Sequence, residues 1–214
     1  MKKMMLTVAL FVATFSAVEA QKINLGKAVS AASKGAQALA FSNEDAKKLS
    51  KESVEWMDKH NPVTDSKSPY TKRLNRLFGK HKSEDGLELN YKVYHVIDIN
   101  AFACADGSVR VFSSLMDLMT DDELLAIIGH EIGHVKNEDT KDAIKAAYTR
   151  AALQEAGAAA SESVRKLSDT ELGEMAEGIL GASHSKKQES QADEYAYNFM
   201  KKHGYDVVAV YTAF

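Results

Sequence analysis

Two histidines four residues apart, His130 and His134, lie in an otherwise apolar segment that follows a helix-capping pattern at residues 120–123. The pattern predicts a helix that begins there and ends near Asn137. Positions i and i+4 share one face of a helix, so both imidazoles can bind a single cation. Since two histidines and Glu131 are unfavourable on a half-buried face without partners, the segment predicts a metal site.

Glu131, between the two histidines, determines the chemistry that such a site can support. Zn²⁺ lowers the pKa of a bound water towards neutrality and polarises a substrate carbonyl. A neighbouring carboxylate can take the proton of that water and pass it to a leaving amine. The motif therefore predicts hydrolysis that depends on one Zn²⁺ per chain, with Glu131 as the catalytic base.

A zinc hydrolase needs a third protein ligand and an open fourth position. Glu189 is the best candidate, on a second predicted helix where Ala192 and Ala196 allow another helix to approach closely. Asp193 shares its face and could accept the ring N–H of a ligand histidine or donate a proton. An exposed acidic helix face explains both carboxylates equally well. His184 is an alternative contact to substrate or to an oxyanion.

Periodicity predicts an α+β, mainly helical, single domain. Residues 87–112 alternate as strands do, and Asp106-Gly107 forms a two-residue hairpin turn, so a small antiparallel sheet is expected beside the metal helix. Two helices are expected within 22–60, the second capped by Ser42, and others at 69–79, at 120–137 and at about 186–203. One or two more are expected within 141–183, with a looser stretch at 161–168. For the Ala/Gly-rich region 141–183, a disordered insert is the alternative.

The first twenty residues have the pattern of a secretory signal. Lys2 and Lys3 precede an apolar run at 6–18 that is too short to span a bilayer comfortably, and a cleavage site follows at Ala20. We therefore predict a signal peptide at 1–20 and one mature domain at 21–214. The single cysteine, Cys104, allows no internal disulfide and is expected to be a buried apolar residue.

Three segments together resemble the HtpX-like and CAAX-prenyl-protease-like zinc metallopeptidases, closest to their soluble periplasmic branch. Residues 100–103 and 107–111 are similar to the strand pair that precedes the metal helix in that family. Residues 114–135 are similar to the metal helix itself, and residues 187–193 to the third-ligand motif. The likeness covers residues 85–214, so it implies a zincin-like catalytic core there, preceded by a helical part at about 21–84.

The resemblance also assigns roles to individual residues. It implies His130, His134 and Glu189 as zinc ligands, Glu131 as the base and Asp193 as a nearby acid that donates a proton. It further implies a strand whose edge aligns substrate peptides through main-chain hydrogen bonds, formed by Asn100, Ala101, Phe102 and Ala103.

The expected function is that of an endopeptidase that cleaves unfolded or misassembled envelope proteins in the periplasm of a Gram-negative bacterium. No membrane-spanning helix or lipid anchor is expected in the mature chain, whereas peripheral outer-membrane association and the oligomeric state stay open. Family members usually continue with another helical segment and a His-Pro motif, so the resemblance implies either a short branch or a chain truncated at Phe214. The net charge of −3 argues against a nucleic-acid partner. The alternatives are a zinc-stabilised chaperone without catalysis, against which Glu131 argues, and an interaction protein without metal.

Overall fold

The computed structural model describes residues 41–154 and 167–213, with side chains outside 149–154. The predicted signal peptide, the helix expected before Ser42 and most of the looser stretch expected at 161–168 lie outside the described residues.

Helices dominate the described chain, and the α+β class predicted from the sequence is confirmed. The helices are α1 (Asn43–His60), α2 (Pro69–Phe78), α3 (Ser113–Leu118), α4 (Asp121–Lys136), α5 (Asp139–Gln154), α6 (Asp169–Leu180), α7 (Lys186–His203) and α8 (Ala209–Thr212). The strands are β1 (Ser83–Glu84), β2 (Leu87–Glu88), β3 (Asn90–Tyr94), β4 (Ala101–Ala103) and β5 (Ser108–Phe112). None of the helices described is long and apolar enough to cross a membrane.

Local capping fixes where the long helices begin. Ser42, Thr120, Ser168 and Ser185 each accept a hydrogen bond from the third helical backbone N–H, and the side chain at that position binds back to the cap. These capping boxes satisfy backbone donors that would otherwise have no partner. They place the starts of α1, α4 and α7 where the sequence predicts them.

The main sheet has three strands in the order β3-β5-β4. The expected hairpin is present, because β4 pairs antiparallel with β5. Its turn has the three residues 105–107 rather than the predicted two, since the N–H of Cys104 donates to the carbonyl of Ser108 and Gly107 alone adopts a positive φ. The sheet as a whole is mixed rather than antiparallel, since β3 pairs parallel with β5. Successive strands reverse direction, so β5, which lies between the other two, runs the same way as β3. Hairpin periodicity alone does not reveal this strand order.

Helix α4 forms the centre of the fold, between β4 and α7. Leu124, Ile128 and Ile132 on this helix are each at most 1% exposed. A helix that is apolar around most of its circumference is expected to be buried in this way. Cys104 is also buried, as predicted.

Small residues bring α4 and α7 into close contact. Ala192 and Ala196 on α7 are fully buried, and Gly129 and Gly133 on α4 face them. A Cβ placed on Gly133 would lie 3.0 Å from the Cα of Ala192. The close approach expected from the two alanines is therefore present.

A buried ion pair ties α1 to the sheet. The guanidinium of Arg110 donates to both carboxylate oxygens of Asp58, at 2.8 and 2.9 Å, and Lys92 and Tyr94 donate to the same carboxylate. Although burial opposes ionisation, these donors lower the pKa of Asp58 to about 2.

Candidate metal centre

The two histidines of α4 face each other at the buried end of a cleft. Their Nε2 atoms are 3.0 Å apart, and the side chains are 7% and 3% exposed for His130 and His134. Both rings project from one face of the helix, as the i, i+4 spacing requires. Two ring nitrogens this close offer a pair of lone pairs to one cation.

Glu189, in the first turn of α7, completes this cluster. Its carboxylate oxygens lie 3.4 Å from His130 Nε2 and 3.8 Å from His134 Nε2. The three groups, each offering one ligand atom, lie within 4.8 Å of one another. Two imidazoles and one carboxylate are a donor set that suits catalytic zinc, which keeps a fourth position open.

Two carboxylates orient the rings from behind. Nδ1 of His130 is 2.9 Å from Asp193, and Nδ1 of His134 is 2.9 Å from Asp139. An N–H donated to each carboxylate leaves both Nε2 lone pairs directed at the centre. For Asp193, this contact supports the first of the two roles considered, that of acceptor for a ligand histidine; proton donation stays a prediction.

Asp139 is the site residue that sequence analysis missed. It is 6% exposed and also accepts a hydrogen bond from Gln188 at the start of α7. It follows the end of α4, where Glu138 adopts a positive φ of 63° and turns the chain back. The only indication in the sequence was an acidic residue just after the metal helix. It lies five residues from His134, a spacing that does not place two residues on one helix face.

Glu131 lies beside the pair, against the edge of the sheet. Burial raises its pKa to about 8, Glu189 contributes to the rise, and a hydrogen bond from the backbone N–H of Ala103 opposes it. A positive ion at the histidines would also act in the opposite direction. Burial thus gives Glu131 a higher proton affinity than an exposed glutamate has, which suits a group that accepts and then releases a proton.

A cleft of about 210 Å³ opens onto these residues. All four residues of the predicted substrate-aligning strand line it: Asn100, Ala101, Phe102 and Ala103. Within the described residues β4 pairs only with β5, so no strand pairs with its other edge, which is where an extended peptide could add to the sheet.

His184 also lines the cleft, as one of the alternatives expected. Its ring stacks on that of His134, with centroids 4.0 Å apart. Burial lowers the pKa of His184, and the neighbouring His134 adds to this effect. A neutral ring offers one N–H donor and one acceptor nitrogen inside the cleft.

Comparison with known proteins adds independent information. Residues 72–214 match peptidase family M48. Metalloprotease YcaL of Escherichia coli is 37% identical over 183 residues, which cover 85% of this chain and 72% of YcaL. Metalloprotease LoiP of the same organism is 35% identical over 215 residues, which cover all of this chain and 85% of LoiP. Protease HtpX of Actinobacillus pleuropneumoniae is 43% identical, over 22% of this chain and 18% of HtpX.

Proposed function

Because this chain belongs to peptidase family M48, and is therefore a metalloprotease, we propose that its metal is one Zn²⁺ held by His130, His134 and Glu189. The observation that carries this proposal is the pair of Nε2 atoms 3.0 Å apart with a carboxylate within 3.8 Å of both. The reaction is hydrolysis of internal peptide bonds.

The residues around the centre have separable tasks. When bound, zinc supplies Lewis acidity towards a water molecule and the scissile carbonyl. Glu131 removes a proton from the attacking water and delivers it to the amine of the departing peptide. Asp193 and Asp139 hold the two ligand rings in position through Nδ1. Proton delivery by Asp193 is a further proposal, based on the family resemblance.

The edge of β4 that has no strand partner among the described residues supports a preference for extended polypeptide. Main-chain hydrogen bonds to Ala101 and to the carbonyl of Ala103 would align a substrate with little dependence on its sequence. A folded protein offers few such free strands, so unfolded or misassembled chains are the substrates we propose. The signal pattern at 1–20 supports export to the periplasm, where such envelope proteins are found.

Glu131→Gln tests the mechanism. The variant should keep the fold and one zinc per chain, because Glu131 is not a ligand, while casein cleavage falls at least ~100-fold with the loss of the general base. Zinc content by mass spectrometry and fluorogenic casein turnover are the two measurements.

Full casein turnover by the variant would defeat the assignment of Glu131. A wild-type protein that binds zinc, cleaves nothing and suppresses aggregation of unfolded proteins would favour the zinc-stabilised chaperone instead. If the wild-type protein contains no zinc even after reconstitution with the metal, the proposed metal centre is wrong.

A further inference from the structure

The tip of the small ribbon formed by β1 and β2 lies against both helices of the metal centre. Asp85 and Gly86 form its two-residue turn, with positive φ angles of 47° and 86°. Asp-Gly is a preferred pair for such a turn, which requires positive φ at both positions. The turn therefore holds the Asp85 side chain and carbonyl in a fixed direction.

Asp85 contacts each helix through a separate group. Its backbone carbonyl accepts a hydrogen bond of 2.8 Å from Lys136, two residues after His134 on α4. Its carboxylate accepts a hydrogen bond of 2.7 Å from the hydroxyl of Tyr195 on α7. Lys202, also on α7, lies 3.1 Å from the same carboxylate. These donors lower the pKa of Asp85, Tyr195 most strongly, so the carboxylate is ionised at neutral pH.

A buried cluster at the base of the ribbon strengthens this attachment. Glu84 is 2.6 Å from Nδ1 of His81 and 3.1 Å from Nε2 of His203, and Tyr205 is 2.6 Å from Nε2 of His81. His203, in the last turn of α7, thus joins the network of the buried His81 and Glu84. Lys202 lies 3.2 Å from Glu84, where a metal ion would meet like charge. The cluster is therefore a hydrogen-bonded anchor for the ribbon.

The contact between α4 and α7 does not by itself fix how α7 is rotated against α4. Near the metal ligands the helices meet at Gly133 and Ala192, and these small residues offer few protruding side chains to resist rotation or sliding there. Rotation of α7 would move Glu189 and Asp193 away from the histidines of α4. Tyr195 sits at this point, because its Cβ lies 3.0 Å from a Cβ placed on Gly133.

We propose that Asp85 and Tyr195 are positioning residues that fix the rotation of α7 against α4 and so set the zinc affinity of the centre. This inference rests on the proposed zinc site. Neither residue is a zinc ligand, and both act through the placement of Glu189 and Asp193.

Tyr195→Phe tests the proposal by removing only the hydroxyl. Zinc affinity, measured by competition with a chromophoric chelator, should weaken about 5- to 10-fold, near the lower end of the range for groups that support metal ligands. Asp85→Gly keeps the positive φ of the turn and deletes the carboxylate, so it should weaken zinc binding at least as much. Because both changes remove the same hydrogen bond, the double variant should bind zinc no more weakly than Asp85→Gly.

Ser83→Ala is the matched control. It removes a hydrogen bond between Ser83 and Glu88 within the same ribbon and should leave zinc affinity within twofold of wild type. Zinc affinity within twofold of wild type for Tyr195→Phe, or additive losses in the double variant, would overturn the positioning role. A wild-type protein that binds no zinc would instead contradict the proposed metal centre, so the two failures are distinguishable.

Discussion

Gly133→Ala measures how closely the metal centre depends on the contact between α4 and α7. The added Cβ would lie 3.0 Å from the Cα of Ala192, 3.0 Å from the Cβ of Tyr195 and 3.2 Å from the backbone oxygen of Ala192. Carbon atoms prefer separations of about 3.5–4.0 Å, so the helices must move apart by roughly half an ångström. Two of these three neighbours are backbone atoms, which cannot rotate away.

Two opposing effects determine the change in stability. Overpacking of a well-packed core typically costs about 1–3 kcal/mol. Alanine is favoured over glycine within a helix by about 1 kcal/mol, which offsets part of this loss. The net expectation is a decrease of about 1 kcal/mol in the free energy of unfolding of the metal-free protein, measured by urea denaturation with chelator present.

Zinc affinity should respond more strongly than stability. Metal ligand distances tolerate shifts of only about 0.2 Å, so a displacement of half an ångström at Glu189 should weaken zinc binding by about 10-fold or more. Gly129→Ala is the matched control on the same face of α4. There the nearest atom is Cδ1 of the Phe199 side chain, at 3.1 Å, and the ring can tilt to make room.

The control should therefore be at least as stable as wild type and bind zinc nearly as well, because the helix preference of alanine is gained with little displacement. The reasoning is wrong if Gly133→Ala equals Gly129→Ala in both unfolding free energy and zinc affinity. That result would mean that the contact around Ala192 adjusts without moving Glu189.

Two further predictions concern buried carboxylates. Asp58→Asn should lower the free energy of unfolding at pH 6 by about 3–5 kcal/mol, because the buried charge of Arg110 loses its partner. Since the pKa of Asp58 is about 2 when folded and about 3.8 otherwise, this stabilisation is present above pH 4 and is lost as pH falls towards 2. Urea titrations should show that the difference in unfolding free energy between wild type and variant decreases by about 2 kcal/mol from pH 6 to pH 2. A difference that does not change with pH would contradict the pairing. Asp139→Asn should weaken zinc binding about 10- to 100-fold in chelator competition, through the loss of orientation at His134, and unchanged binding would refute that role.

The sequence predicts those parts of this fold that depend on neighbours along the chain. Capping at Thr120 and Ser185 is decided within four residues, so both helix starts are correctly predicted. The i, i+4 spacing likewise predicts that His130 and His134 share a face. The sequence pattern around Glu189 is also that of an exposed acidic helix face. Assigning Glu189 to the metal site therefore required the family resemblance.

Features set by tertiary contacts were not predictable in this way. The parallel pairing of β3 with β5 depends on which strand occupies the middle of the sheet. Asp139 becomes a partner of His134 only because the chain folds back at Glu138. His203 joins a buried network because a ribbon more than a hundred residues earlier packs against the end of α7.

The central helix α4 has two roles, since it carries both candidate ligand histidines and much of the hydrophobic core. A substitution that reshapes this helix to suit a new substrate would also disturb the ion and the fold. Adaptation has more freedom where the cleft is lined by other elements, at Ile179 on α6 and the segment that carries His184. Related peptidases with different substrate preferences should therefore differ first along these walls, while the helix beneath them changes little.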